Sequence, residues 1–383
     1  MRLRAIPSLG RIAITSGELE YISPHAIVMS GSSIPTYTIL EADGQHEENL
    51  QEDHLFSENP THAYHVRFLR GDLSPGETAT RKPWTAIPKE IRDEVDGLMI
   101  LKLYLLEEDL ALFPKLKVVV RMGVGYDRID RPACARRGIT VCNVPDYGTE
   151  DIADHALGLG LSLRRGILLH HDLQRTEPPA PYTPISHPLI ARSRGAVFGI
   201  LGLGRIGTAV ALRAKAFGFH VLFYDPYLPN GADKAIGVER TKNIQDLFRR
   251  ASILSIHSPC TRETRNMVNY ELLSLLPRAA VLINTARGEI VDLDAVERCL
   301  REGGLAGAGL DVLPVEPIEE PAHSLIQAYR RREPWLTGRM ALTCHTAFFS
   351  PSSVEEIRSK SAQTMREVLI DKISSNVILP EME

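Results

Sequence analysis

The stretch "AVFGILGLGRIGTAVALRAKAFGFHVLFYDP", residues 196–226, decides the fold. An apolar run meets three glycines, Gly202, Gly204 and Gly207, and a second run, "HVLFYD", ends in the acid Asp225. Between them Ile206, Val210, Ala214 and Phe217 recur at helical spacing. Three glycines alone are weak evidence, because the spacing arises by chance. A strand, a glycine turn, a helix and a second strand closing on an acid together make the whole βαβ unit of a dinucleotide site.

Each part has a chemical reason. Gly202 permits the tight turn, Gly204 lets the backbone approach a pyrophosphate, and Gly207 lets helix and strand pack closely. The helix start turns amide donors and its positive dipole end toward the phosphates. Asp225 accepts from a free ribose 2′-hydroxyl and repels a 2′-phosphate, while Pro226 and Tyr227 offer no cation to offset the repulsion. The cofactor expected is therefore NAD and not NADP.

Outward from this unit, strand-like and helix-like runs alternate, which predicts α/β architecture with parallel sheets. "TYTILEA", "YHVRFL", "GLMIL", "KVVVRMG" and "ITVCNV" read as strands, and 72–88 as a loop. The first 35 residues carry too weak a pattern to place. The sheet pattern restarts after residue 147, and a helix, "SVEEIRSKSAQTMREVLI", follows residue 345. A length of 383 residues suits two domains.

Bulk properties narrow the partners. With 44 basic and 48 acidic residues the net charge is −4, which gives no electrostatic reason to expect direct nucleic-acid or membrane binding. The five cysteines are odd in number and lack any metal-ligand spacing, so neither a disulfide framework nor a metal site is expected. They read as thiols of the cytoplasm, with the nucleus also open.

Three polar residues stand at the ends of later strand-like runs. Arg287 follows "AAVLINTA" with Ala286 and Gly288 clearing space on both sides, Glu316 follows "AGAGLDVLPV", and His345 follows "MALTC". Singly, each has an ordinary structural reading. In an open parallel sheet, however, ligands bind at the carboxyl ends of strands, where these three can converge. Histidine suits proton transfer near neutrality, a neighbouring carboxylate orients its ring, and arginine offers a fixed fork for a keto-carboxylate. That set fits interconversion of a 2-hydroxy acid and its 2-keto acid. His257, in "SIHSP", is a rival histidine at a strand end that reads as structural.

"FGILGLGRIG", "FYDP", "INTARGEIVD", "GAGLDVLPVEP" and "CHTAFFS" together resemble the D-isomer-specific 2-hydroxyacid dehydrogenases. The wording of 209–231 is closest to the C-terminal-binding-protein branch of that family. The resemblance covers roughly residues 90–370. It implies a Rossmann dinucleotide-binding domain, 148–346, inserted into a flavodoxin-like substrate domain made of 1–147 and 347–383. It implies a catalytic set of Arg287, Glu316 and His345, and substrate contacts at Arg121, Val124 and Gly125. Cofactor contacts are implied at Arg205, Ile206, Ser258, Thr264, Thr285, Ala286 and Asp311, beside the glycines and Asp225. A homodimer through the NAD-binding domain is the implied assembly. The branch carries a tryptophan three residues after the histidine; Phe348 stands there instead, so it is expected to line a substrate pocket of different shape. The stretch 318–343 is longer than the family's usual spacing. The alternative function is an NAD(H)-sensing dimeric scaffold or corepressor with little turnover.

Overall fold

The structure is a computed structural model and describes residues 12–15, 18–21, 34–43, 50–57, 64–73 and 82–380. Of the loop expected at 72–88, residues 74–81 lie outside these, as do most of the first 35 residues, and the described part holds only a single 3-10 turn, Trp84–Ala86. The chain divides into two compact units, Met1–Tyr147 with Pro351–Glu383, and Gly148–Ser350. The second crossing between them therefore falls at Pro351, where a long helix begins, and not at residue 347.

In the first unit a hairpin of β1 (Ile12–Thr15) and β2 (Glu18–Tyr21) precedes five parallel strands. These are β3 (Thr36–Glu41), β4 (His65–Arg70), β5 (Gly97–Ile100), β6 (Val118–Arg121) and β7 (Thr140–Asn143). Their spatial order, β4-β3-β5-β6-β7, is the flavodoxin-like arrangement. β5 and most of β6 are buried on both faces, which explains why they read as unbroken apolar runs. The helix Pro351–Met365 packs on this sheet, and Gly97 makes room for it: a Cβ there would meet the Met365 sulfur at 2.6 Å. The edge strand β7 is covered where Asn143 N–H donates to Asn376 O and Ile378 N–H to Val141 O, which blunts an open edge.

The second unit holds seven parallel strands: β8 (Val197–Leu201), β9 (His220–Tyr224), β10 (Glu239–Arg240), β11 (Ile253–Ile256), β12 (Val281–Asn284), β13 (Gly307–Leu310) and β14 (Met340–Leu342). Their order, β10-β9-β8-β11-β12-β13-β14, reverses direction between β8 and β11 and so makes a Rossmann switch point. Alternate residues feed two cores. Leu254 and Leu282 face one helix layer, while Ile253, Val281 and Ile283 face the other.

The extra residues between Glu316 and His345 serve this second core. They form the helix Ser324–Arg330, whose Leu325, Ile326 and Ala328 are buried, and the strand β14. Arg339 fastens them by donating to the carbonyls of Leu300, Leu305, Ala306 and Trp335. The insertion is therefore a structural brace within its own unit.

Candidate active site

The switch point places the glycine loop beside the tip of β11. Gly202 has φ +91°, and a Cβ there would lie 2.8 Å from Ser258 N and 3.0 Å from His257 O, so two βα turns touch backbone to backbone. Gly207, in the first turn of the helix Arg205–Ala216, packs against the same turn, since a Cβ would come within 2.2 Å of Gly202 O. Gly204 faces open space, with nothing within 4 Å of a built Cβ, and Arg205 beside it is exposed. Ile206 is half-buried against the helix layer.

Two hydroxyls at neighbouring strand tips test whether this crevice fits a dinucleotide. Ser258 Oγ and Thr285 Oγ1 are buried without a hydrogen-bond partner in the protein. Buried polar atoms are normally satisfied, so orphans at the tips of β11 and β12 fit a polar ligand in the crevice. Thr264 differs: its hydroxyl donates to Pro259 O at 2.6 Å and accepts from Thr261 N, which orders the loop 259–264.

Asp225 follows the last residue of β9. Its Oδ2 accepts from Leu203 N and its Oδ1 from Tyr227 N, both at 3.0 Å, so the carboxylate is held against the glycine loop. An arginine not noticed in the sequence lies close by. Arg240, the last residue of β10, donates to the carbonyls of Asp225, Leu228 and Pro229. Its guanidinium sits over Phe223, and its engaged donors brace the 225–229 turn.

Around the strand tips of β12 to β14 the second unit assembles Arg287, Glu316 and His345. Asn284, 1% exposed at the end of β12, builds the first turn: its Oδ1 accepts from Ala286 N and its Nδ2 donates to Arg287 O. Its signal in the sequence is a polar residue closing an apolar run. Arg287 is half-buried, and its Nη1 donates to Ala286 O at 2.8 Å. Gly288 then lies on the Leu313–Pro314 backbone so closely that a Cβ would be 1.9 Å from Leu313 C. The residue after the arginine thus joins the β12 tip to the loop carrying Glu316.

In that loop Glu316 Oε1 accepts from Leu313 N at 2.8 Å, and Oε2 lies 2.6 Å from His345 Nδ1. One carboxylate oxygen is anchored to its own loop and the other holds the imidazole. His345 itself has φ +55°, a left-handed conformation that non-glycine residues seldom adopt, and its ring meets Phe348 edge-on at 6.3 Å. Strain of this kind gathers at functional positions. Asp311, 2% exposed, spends both carboxylate oxygens on this segment, accepting from Thr343 Oγ1, Thr346 N and Ala347 N.

The rival histidine is different in kind. His257 Nε2 lies 2.8 Å from Ser255 Oγ, and burial pushes its pKa down to about 3. A ring held neutral across the ordinary pH range cannot shuttle protons there.

Arg121, Val124 and Gly125 lie in the first unit, at the carboxyl end of β6. Arg121 Nη1 donates to Met122 O and crosses over Gly123, where a Cβ would sit 1.4 Å from it. Val124 O accepts from Asn143 Nδ2 at 2.7 Å. Among the described residues no cluster of histidine, cysteine, aspartate and glutamate suits a metal ion.

Comparison with known proteins agrees with this fold. Residues 157–347 match the family profile described as D-isomer specific 2-hydroxyacid dehydrogenase, NAD binding domain. Glyoxylate reductase of Korarchaeum cryptofilum (strain OPF8) is 36% identical over 260 residues, covering 67% of this chain and 73% of that protein. C-terminal-binding protein 1 of Caenorhabditis elegans is 33% identical over 286 residues, which cover 73% of this chain but only 38% of that longer relative. The crystal structure of D-lactate dehydrogenase from Aquifex aeolicus, complexed with NAD and lactic acid, superposes with a TM-score of 0.70 at 25% identity, covering 90% of this chain and all (100%) of that one. The chain belongs to the D-isomer-specific 2-hydroxyacid dehydrogenase family.

Proposed function

We propose that the protein is an NAD-dependent oxidoreductase that interconverts a small D-2-hydroxy acid and its 2-keto acid. The observation that carries this reading is the His345–Glu316 pair at 2.6 Å, set at the strand tips of a dinucleotide-binding unit. A nicotinamide held in the crevice would supply the hydride for the keto carbon and, in the reverse direction, accept it. Glu316 Oε2 accepts a hydrogen bond from His345 Nδ1–H, which leaves Nε2 as the nitrogen that changes protonation. In reduction Nε2 gives its proton to the carbonyl oxygen, and in oxidation it removes the hydroxyl proton. Arg287 binds the substrate carboxylate and polarises the neighbouring carbonyl. Arg121 and the backbone at Val124 and Gly125 are proposed as further carboxylate contacts, and Phe348 as an apolar wall.

For the cofactor, the proposed contacts are the glycine loop with Arg205 and Ile206, then Ser258, Thr264, Thr285, Ala286 and Asp311. Asp225 would take the ribose hydroxyls. Its negative charge, with Arg240 already committed to three carbonyls, supports NADH over NADPH.

We read the assembly as a homodimer formed through the second unit. Support comes from a proline-rich arm, 175–188, on which Tyr182 is 97% exposed, and from Ile167 nearby in sequence, also exposed. The five free cysteines support the cytoplasm, with the nucleus open. Among the described residues no helix is long and apolar enough to cross a membrane.

Similarity to C-terminal-binding protein 1 favours a second reading, an NAD(H)-sensing scaffold or corepressor with little turnover. A scaffold needs cofactor binding but no proton donor, so the paired His345 and Glu316 support the enzyme. The test is a panel of 2-keto acids with NADH, followed at the nicotinamide absorbance. Turnover of at least one keto acid that is lost in His345→Ala is expected. Tight NADH binding with no turnover on any of them would favour the scaffold.

A further inference from the structure

Asp311 is buried, and a buried carboxylate is stable only where its lone pairs find donors. It finds them on one short segment. Oδ1 accepts from Thr343 Oγ1 at 2.6 Å and Thr346 N at 2.9 Å, Oδ2 from Ala347 N at 2.9 Å, and its carbonyl from His345 N at 2.7 Å. The residue in the middle is His345, whose left-handed backbone persists only because its surroundings dictate it.

Behind this arrangement stands a histidine to which the proposed reaction gives no task. His155 lies on the helix Thr149–Arg164, with Nε2 3.1 Å from Thr343 Oγ1 and 3.8 Å from Asp311 Oδ1. A threonine hydroxyl has one proton, and Thr343 gives it to Asp311. The hydrogen between His155 and Thr343 must therefore come from His155 Nε2, which fixes the donor at that nitrogen. Gly148, the N-cap of the same helix, faces Phe348: a Cβ there would lie 3.6 Å from the Phe348 Cβ. The helix thus approaches both ends of the 343–348 segment.

We propose that His155 is a positioning residue for His345: by donating to Thr343 it aims that hydroxyl at Asp311, which then holds the 345–347 backbone so that the imidazole meets Glu316. The kinetic consequence rests on the reading of His345 as the proton donor; the holding itself does not.

The test uses the full chain with His155→Ala, Thr343→Val, the double variant and His155→Gln, whose side-chain amide can still donate to Thr343. Hydrogen–deuterium exchange is read on peptides covering 343–348, and kcat and KM on the best keto acid. Exchange there is expected to quicken about tenfold in His155→Ala and Thr343→Val, with the helix Arg205–Ala216 unchanged. kcat should fall about tenfold, since small misplacement of a reacting group is costly. KM for NADH should stay within about twofold, and the double variant should be no worse than Thr343→Val, because both act along one chain of bonds. His155→Gln should restore both exchange and kcat. Unchanged exchange at 343–348 in His155→Ala and Thr343→Val overturns the proposal, as does a His155→Gln variant as impaired as His155→Ala. If the unmodified protein reduces no 2-keto acid, the proposed reaction fails, and the exchange measurement alone decides the positioning role.

Discussion

Two glycine-to-alanine changes should have opposite signs, and the structure says why. Gly158 is exposed in the middle of the helix Thr149–Arg164, and a Cβ there meets nothing within 4 Å. Alanine removes backbone freedom from the unfolded chain and suits a helix, so Gly158→Ala should stabilise by about 0.5–1 kcal/mol. At Gly288 the added carbon would lie 1.9 Å from Leu313 C, 2.2 Å from Leu313 O and 2.3 Å from Pro314 N, all of them backbone. Ordinary contact begins at 3.4 Å, so the β12 turn and the Glu316 loop must part by about 1.5 Å. Overpacking of this kind typically costs about 1–3 kcal/mol, and here no flexible side chain can absorb it. The parting falls between Arg287 and the loop that orients His345, where misplacement by about 1 Å can reduce turnover about 100-fold. Urea unfolding and kcat on the best keto acid measure both effects. A Gly288→Ala variant as stable and active as Gly158→Ala would refute the claim that this contact sets the site.

Further outcomes follow from other residues. Asp225→Ala should erode the preference for NADH over NADPH in fluorescence titration, and an unmodified protein binding both equally would contradict the role given to Asp225. Glu41 is 1% exposed, and burial, with Glu52 adding to it, raises its pKa from 4.5 to about 8, against the pull of Arg70 Nε at 3.5 Å. The folded protein thus holds a proton that the unfolded chain releases near pH 4.5, so this contribution to stability is full below that pH and is lost as pH rises through about 8. Melting temperature should therefore fall from pH 5 to 9 more steeply in the unmodified protein than in Glu41→Gln; parallel profiles would exclude it. Phe348→Trp should shift kcat/KM toward keto acids with smaller side chains, gradedly, since one methylene in such a pocket is worth about 1–3 kcal/mol. Unchanged ratios between short and long keto acids would mean that Phe348 is only packing.

The Rossmann order of the second unit was legible because glycines, apolar strands and a terminal acid are local signals. The candidate acid–base pair was legible for a related reason: strand ends are where a parallel sheet presents its ligands, and His345 and Glu316 each close an apolar run. What escaped was whatever depends on contacts between distant segments. Arg240 reaches the 225–229 turn from a neighbouring strand, and Asn284 acts through a turn two residues on. The sequence gives no signal for His155, because its bond to Thr343 spans 188 positions. The stretch 318–343 read only as longer than the family's usual spacing, whereas Arg339 and the buried face of the helix Ser324–Arg330 make it part of the core. The glutamate pair Glu41 and Glu52 likewise meets only in the fold, through Arg70.

The central claim is that His345, held by Glu316, is the proton donor to a keto acid in an NADH-dependent reduction. Single-turnover reduction by His345→Ala, beside NADH titration of the same variant, tests it most directly. A loss of about 10²–10⁴-fold in the chemical step with NADH affinity retained is the predicted result. Near-full reduction by His345→Ala on a substrate the unmodified protein turns over would contradict it.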